Sequence, residues 1–331
     1  LIEDINSLIK VKNKFFVSDS SLLIHDKNDQ ITKLTNFNYD NSNHDKINFS
    51  LNFFGNGFNF TLNKKKILNN FLVQSKDLGL KCDINFKKKT NNFEGDGKIE
   101  LLNSILKFKF TQDNERLNLE KTIFRNNNIL LNLNSAIILK PFFLIDAIIN
   151  LEKFNVDKKS FISFLNNIDK FKYKRKINGK FQFISKNRLF NNELLKELFL
   201  NLEFENGNIK INKSFIKFEG GSVFFSGELK DFGDYKRLNL NKQLIINDME
   251  LLKKKYRITN LVNENKNIEI YSSINLTTGK INLNEIIYQK RKLSKTDLKS
   301  LKVKIEKFLI YEGILNSLDY DKIRIFIEEI I

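Results

Sequence analysis

The chain has 331 residues, a net charge of +17 and a pI near 9.6, with 41% hydrophobic and 29% charged residues. This balance excludes a disordered chain, because the apolar side chains are numerous enough to form a large buried surface. A single cysteine, Cys82, excludes an internal disulfide framework and a cysteine-based zinc cluster.

Apolar and polar residues alternate along most of residues 8–135, which predicts a succession of antiparallel strands joined by tight turns. The pattern is clearest in the hairpin of residues 46–62, where the apolar positions are Phe49, Leu51, Phe53, Phe58 and Phe60. Further strands are predicted at residues 9–11, 22–24, 31–37, 71–73, 78–86, 99–101, 106–110, 117–119 and 131–133. We expect a turn at residues 94–97, where two glycines alternate with acidic residues.

Strands continue after Pro141, with short helices between some of them. A strand is predicted over residues 142–154, a helical insertion over 157–172 and a second short helix over 191–198. Further strands are predicted at residues 177–184, 200–204, 209–211, 215–218, 223–229, 237–247, 267–276 and 280–286. The pair Gly220-Gly221 predicts a bulge or bend within a strand. Helical spacing predicts helices at residues 296–309 and 320–331, which would cover the edge of the last strand.

These elements predict a mainly β protein, built as one long curled antiparallel sheet with a few short helices and a helical C-terminal end. The predicted regions are residues 1–156 and 173–292 for two β parts, 157–172 for the insertion and 293–331 for the helical cap. A closed sandwich, with two sheets buried against each other, is the alternative. The absence of a Pro/Gly/Ser-rich linker and the recurrence of bulky Phe favour a sheet curled around an apolar groove.

The residue types needed for catalysis are not clustered in this sequence. The two histidines, His25 and His44, are far apart in sequence and lie without cysteines or clustered carboxylates at metal-ligand spacing. The Asp-Phe-Gly triplet at residues 231–233 lacks the other motifs of a kinase and indicates a turn. The sequence therefore predicts no enzyme, no catalytic residue, no metal ion and no cofactor.

The basic charge is dispersed along the chain rather than gathered in one patch. The basic runs, at residues 64–66, 87–89, 253–255 and 290–292, lie near predicted turns, which is typical of solvated surface and protected sheet edges. Proteins that bind single-stranded nucleic acid combine basic residues with exposed aromatic platforms. Here the aromatic residues follow the buried period, so we predict no nucleic-acid partner. A binder of nucleic acid or another anionic polymer is the remaining alternative, and its affinity would fall steeply with salt.

The stretch from Ile177 to Asp231 resembles the C-terminal region of the AsmA family. A strand that ends in Asn206-Gly207 is followed by a strand with Gly220-Gly221 and by the segment Ser226-Gly227-Glu228-Leu229. The apolar strand of residues 136–144, which leads into Pro-Phe, is similar to the repeating unit of that family. The resemblance implies a long β-sheet folded like a taco around an apolar channel for phospholipid.

The resemblance further implies a periplasmic protein anchored in the inner membrane of a Gram-negative bacterium and acting in outer-membrane biogenesis. The chain begins at Leu1, and we expect its membrane anchor upstream. Phospholipid is the expected ligand, and another envelope protein is a possible partner. The alternative is a structural scaffold or assembly factor of the cell envelope with a filled β core. The predicted lining residues of the lipid groove are Phe49, Leu51, Phe53, Phe58, Phe60, Phe108, Phe110, Phe181, Leu202, Ile209, Val223 and Phe225.

Overall fold

The computed structural model describes residues 14, 16–26, 29–43, 45–65, 68–155, 178–186, 195–232, 235–258, 264, 266–275 and 280–303. Over these residues the protein is mainly β, with 19 strands in one sheet and two short helices. The predicted mainly β class is therefore confirmed. The chain divides into two compact units, residues Leu1–Asn127 with Asn132–Pro141, and residues Asn128–Leu131 with Phe142–Ile331.

The first unit is an antiparallel meander in which each strand pairs with the next one in sequence. Tight turns set this arrangement; Phe54 and Gly55, for example, connect β3 to β4 with φ values of 48° and 78°. Its strands are β1 Phe16–Asp26, β2 Asp29–Asn43, β3 Lys46–Phe53, β4 Asn56–Asn63, β5 Asn69–Ser75, β6 Leu80–Lys88, β7 Phe93–Leu101, β8 Ser104–Gln112, β9 Arg116–Arg125 and most of β10 Ile129–Ile138.

The second unit continues with β11 Leu144–Phe154, β12 Asn178–Ser185, β13 Leu195–Glu205, β14 Asn208–Phe218, β15 Gly221–Asp231, β16 Lys236–Ile246, β17 Lys266–Asn275, β18 Ile281–Tyr288 and β19 Arg291–Lys292. The expectation of a purely antiparallel sheet is wrong at one place, because β11 and β12 pair in parallel. A parallel pair needs a connection of about a dozen residues or more, and residues 155–177 are long enough to make one. From β12 onward the pairing is antiparallel.

Two helices lie in the described part of the second unit. Helix α1, Met249–Tyr256, was not predicted; its first turn is capped by the Asp248 carboxylate, which accepts a hydrogen bond from Leu251 N at 2.8 Å. Helix α2 begins at residue 295 and continues to residue 303, in agreement with the predicted C-terminal helix over this range. The predicted helices at residues 157–172 and 320–331, and the strand at 9–11, lie outside the described residues.

Three local predictions are wrong. Residues 94–97 are not a turn but part of β7, since their glycines give room to aromatic rings from β8. Gly220-Gly221 is not a bulge within a strand: Gly220, with φ of 86°, forms the hairpin turn between β14 and β15. Leu195–Leu198 belong to β13 rather than to a helix, because they pair with β14; residues 187–194 lie outside the described residues.

Candidate functional site

One face of the first unit is a continuous apolar surface, called here the first apolar face. Residues opposite each other in antiparallel strands share a face, so the strand register traces rows of side chains across the sheet. The longest row crosses eight strands and consists of Tyr39, Phe49, Phe60, Val73, Cys82, Ile99, Leu106 and Phe124. Cys82 acts within this row as a small apolar residue, and burial raises the pKa of its thiol.

All seven residues predicted for this region lie on the first apolar face. Five of them belong to the β3–β4 hairpin, where the rings of Phe49 and Phe60 stack with centroids 4.2 Å apart and an interplanar angle of 6°. Phe108 and Phe110 lie on the same face four strands away, on β8. The register therefore places the predicted residues on one surface, in two groups.

Glycines on β7 allow the rings of β8 to lie flat on the first apolar face. A Cβ atom at Gly95 would overlap the backbone oxygen of Asn85 and lie 2.9 Å from the Phe110 ring, and one at Gly97 would overlap the Phe108 ring. The two phenylalanine rings cover the glycine backbone, so the missing side chains are replaced by aromatic surface from the neighbouring strand.

The side chains of the first apolar face are buried at one end of the strands and more exposed to solvent toward the other end. Six side chains form a buried cluster that includes Phe86, Phe93 and Phe110, which expose 5% or less of their surface. These residues lie where β6 and β8 end and β7 begins. Phe49, Leu51, Phe53, Phe58 and Phe60 are only half-buried.

The opposite face of the first unit is polar and carries hydrogen bonds between neighbouring strands. Thr61 Oγ1 donates to Asn48 Oδ1 at 3.1 Å. Asn70 Nδ2 donates to Asp83 Oδ1 at 2.6 Å and to Asn85 Oδ1 at 3.0 Å. A sheet with one apolar and one polar face is therefore established within this unit, as the alternation predicted.

The second unit has the same division between its faces. Its apolar side, called here the second apolar face, contains a row across β13 to β18 made of Leu198, Ile216, Val223, Leu244, Ile268 and Tyr288. The five predicted residues of this unit lie on this face: Phe181, Leu202, Ile209, Val223 and Phe225. Phe181 is opposite Leu202, and their neighbour Phe204 meets Phe181 edge-on at 5.1 Å between centroids.

The burial of the predicted residues is partial in both units. Eleven of the twelve are half-buried, and Phe110, with 3% of its surface exposed, is the buried one. Side chains sealed between two sheets are expected to be fully buried, since sandwich cores are as densely packed as other protein interiors. The degree of exposure is thus intermediate between a sealed core and a solvated surface.

Sequence reasoning missed Lys242, a charged residue on the second apolar face. Lys242 lies on β16 between Leu240 and Leu244, opposite Phe225 on β15 and Ile270 on β17. The signal was present in the sequence, because the run from Leu238 to Ile246 places this lysine at an apolar position of the alternation.

Two cavities are formed mainly by residues of the polar faces. One, in the second unit, has a volume of about 630 Å³ and is lined by side chains that include Phe215, Phe224, Gln243 and Glu269. The other, in the first unit, has a volume of about 280 Å³ and is lined by residues that include Asn48 and Thr61. Both are shallow, open hollows lined by polar side chains together with aromatic rings, and they lack the enclosure typical of a small-molecule site.

In the described part of the chain, no three or more His, Cys, Asp or Glu side chains are grouped as a metal site. Within the same ranges, no helix has the length and apolar character needed to cross a bilayer. No protein-family model, no curated protein and no solved structure matches the chain. The functional argument therefore depends on the two apolar faces.

Proposed function

We propose that the protein binds phospholipid along its apolar faces and carries it through the periplasm in support of outer-membrane biogenesis. In this proposal the sheet curls so that each apolar face lines a groove, and the protein is held at the inner membrane of a Gram-negative bacterium. Acyl chains lie along the apolar rows, while polar head groups remain near water.

The observation that carries the proposal is an apolar row that crosses eight strands yet consists largely of half-buried residues. Each CH₂ group withdrawn from water gains about 0.8 kcal/mol, so an acyl chain of roughly 16 carbons gains on the order of 12 kcal/mol. A continuous apolar row lets such a chain move from strand to strand with little change in free energy. The opposite faces, with their hydrogen-bonded Asn and Asp side chains, keep the protein hydrated.

The first test is the lipid content of protein purified by gentle extraction. We expect co-purifying phospholipid in the wild-type protein and a strong loss of it in Phe53→Asp, because the new carboxylate lies on the first apolar face. Phe53 lies at the end of β3 and is half-buried, so this change should impair lipid loading more than folding.

The matched control is Asn52→Asp, which adds the same charge to the same strand on the polar face. It should leave the lipid content unchanged. Lipid-free wild-type protein, or an equal loss of lipid in the two variants, would contradict the proposal.

A second candidate, a structural scaffold or assembly factor with a filled β core, is favoured by one observation. The buried cluster around Phe86, Phe93 and Phe110 is packed with side chains of the protein itself. This candidate predicts a stable, folded protein that binds an envelope protein and contains no lipid, so the same extraction distinguishes the two.

A further inference from the structure

Lys242 is surrounded by apolar residues on the second apolar face. The register places it in a row with Phe225, Ile270 and Ile286, and Ile286 exposes only 1% of its surface. Leu240 and Leu244 precede and follow it on the same face of β16. Lys242 itself is half-buried, so its side chain loses part of its hydration and gains no hydrogen bond from these apolar neighbours.

The Lys242 ammonium has no hydrogen bond and no ion pair with any residue in the described ranges. Lysines of the neighbouring strands on the polar face are different: Lys217 lies 2.6 Å from a Glu197 carboxylate oxygen, and Lys230 lies 2.8 Å from one of Glu228. Burial lowers the pKa of Lys242, and no nearby charge offsets this effect. The second apolar face therefore holds a cationic group whose partner is not supplied by the described protein.

A second polar group on the same face is also unsatisfied. Ser272 lies opposite Leu240 on β17, which makes it the diagonal neighbour of Lys242. Its residue exposes 3% of its surface, and its hydroxyl makes no hydrogen bond with the described residues. Diagonal neighbours in a sheet lie about 7–8 Å apart, a separation that one oxyanion with several acceptor oxygens can bridge.

We propose that Lys242, with Ser272 beside it, binds the phosphate or carboxylate head of an amphiphile whose acyl chain lies along the second apolar face. This inference rests on the proposed lipid-binding function and adds that the ligand is anionic. The apolar row with Phe225 and Ile270 accommodates the chain, and the oxyanion supplies the acceptors that the lysine and the serine lack. The head group is then held within the apolar face rather than left in water.

The test compares two lipids with identical acyl chains, phosphatidylglycerol and diacylglycerol, by native mass spectrometry of the full-length protein. We expect the wild-type protein to prefer phosphatidylglycerol, and Lys242→Met to reduce that preference by about tenfold, since the charge-assisted hydrogen bond to the phosphate is lost. Lys242→Arg should keep the preference because it keeps the charge. Lys230→Met, which removes one exposed lysine from the polar face, should also leave it unchanged.

The outcomes separate this inference from the proposed function. If Lys242→Met and the wild-type protein bind both lipids and show the same preference for phosphatidylglycerol, the inference about Lys242 is wrong but the proposed lipid binding is not affected. Failure of the wild-type protein to bind either lipid would overturn the proposed function and the inference together. Tight binding of inorganic phosphate that depends on Lys242, without a preference for phosphatidylglycerol, would identify a free-anion site and contradict the lipid head group.

Discussion

At the residue scale, Lys242 is the side chain that packing alone explains least. Its neighbours on the second apolar face are Leu240, Leu244, Phe225 and Ile270, and any of these residue types would fit its position. A polar group buried without a partner destabilises a folded protein by about 1–3 kcal/mol. We therefore expect Lys242, half-buried and without a partner among the described residues, to lower the stability of the lipid-free protein.

The first prediction concerns the free-energy cost of keeping Lys242 on an apolar face without a partner. Lys242→Met should raise the free energy of unfolding by about 1 kcal/mol, because it removes a poorly hydrated charge and keeps a side chain of similar length. Urea or thermal unfolding of the lipid-free protein measures the change, with Lys230→Met as the control that should change little. A loss of stability in Lys242→Met would show that the ammonium has a structural partner.

The contribution of Lys242 to the free energy of unfolding should depend on pH, and the direction of this dependence follows from the lowered pKa. Because burial lowers the pKa of Lys242 below its ordinary value of 10.5, the unfolded chain binds more protons than the folded one between the two pKa values. Stability attributable to this residue therefore rises with pH across that window. The advantage of Lys242→Met over the wild-type protein should shrink as the pH approaches 10.5.

The second residue-scale prediction concerns the glycines under the rings of β8. Gly97→Ala should lower the free energy of unfolding by about 2 kcal/mol, because the added Cβ overlaps the Phe108 ring and the ring must leave its position over β7. Gly57→Ala is the matched control: its Cβ would meet Asn52 Oδ1 at an ordinary 3.4 Å. Adding Phe108→Leu to Gly97→Ala should recover part of the loss, and an absence of any difference between the two glycine variants would contradict the packing described here.

At the element scale, the hairpins combine apolar packing on one face with charge pairing on the other. In the β6–β7 hairpin, Phe86 and Phe93 meet edge-on at 6.3 Å between centroids on the first apolar face. On the polar face, Glu94 accepts hydrogen bonds from Lys87, at 2.8 Å, and from Lys89. These hydrogen bonds hold the pKa of Glu94 below its ordinary value of 4.5.

The prediction at this scale is a titration. Lys87→Met should move the pKa of Glu94 back toward 4.5, whereas Lys88→Met should not, because Lys88 lies 5.9 Å from the centre of the Phe93 ring on the other face. Since the carboxylate is stabilised in its ionised form, its contribution to stability is present above pH 4.5 and is lost as the pH falls through the lowered pKa. Carboxyl-carbon NMR shifts measure the titration, and a wild-type Glu94 with an ordinary pKa would contradict the pairing.

The sequence predicts most strands because period-two alternation is a local signal. The sequence-based prediction fails where the structure depends on contacts between strands. Gly95 and Gly97 were predicted to form a turn because of their local composition, but they lie in a strand under the rings of Phe110 and Phe108. The helical spacing near Leu195 is likewise overridden by pairing with β14. At the candidate site, alternation is sufficient to assign all twelve predicted residues to apolar faces, whereas the isolation of Lys242 depends on register and on the partners of its neighbours.

At the scale of the whole molecule, both units share one plan: mostly antiparallel strands with an apolar face and a polar face. Within the described residues of each unit, no three or more His, Cys, Asp or Glu side chains are grouped as a metal site. The feature that the two units share is a broad, half-buried apolar surface. Surfaces of this extent are characteristic of binding sites for apolar ligands or partners.

The most direct test uses two adjacent phenylalanines that point to opposite faces of β15. Phe225 lies on the second apolar face and is half-buried, while Phe224 lies on the polar face and exposes 40% of its surface. Each is replaced in turn by a photoreactive phenylalanine analogue, and the protein is irradiated after loading with phospholipid. Mass spectrometry of the purified protein should detect a covalent lipid adduct at position 225 and little at 224. Adducts at 224 equal to or above those at 225, or no adduct at 225 in lipid-loaded protein, would contradict the claim that lipid lies on the apolar face.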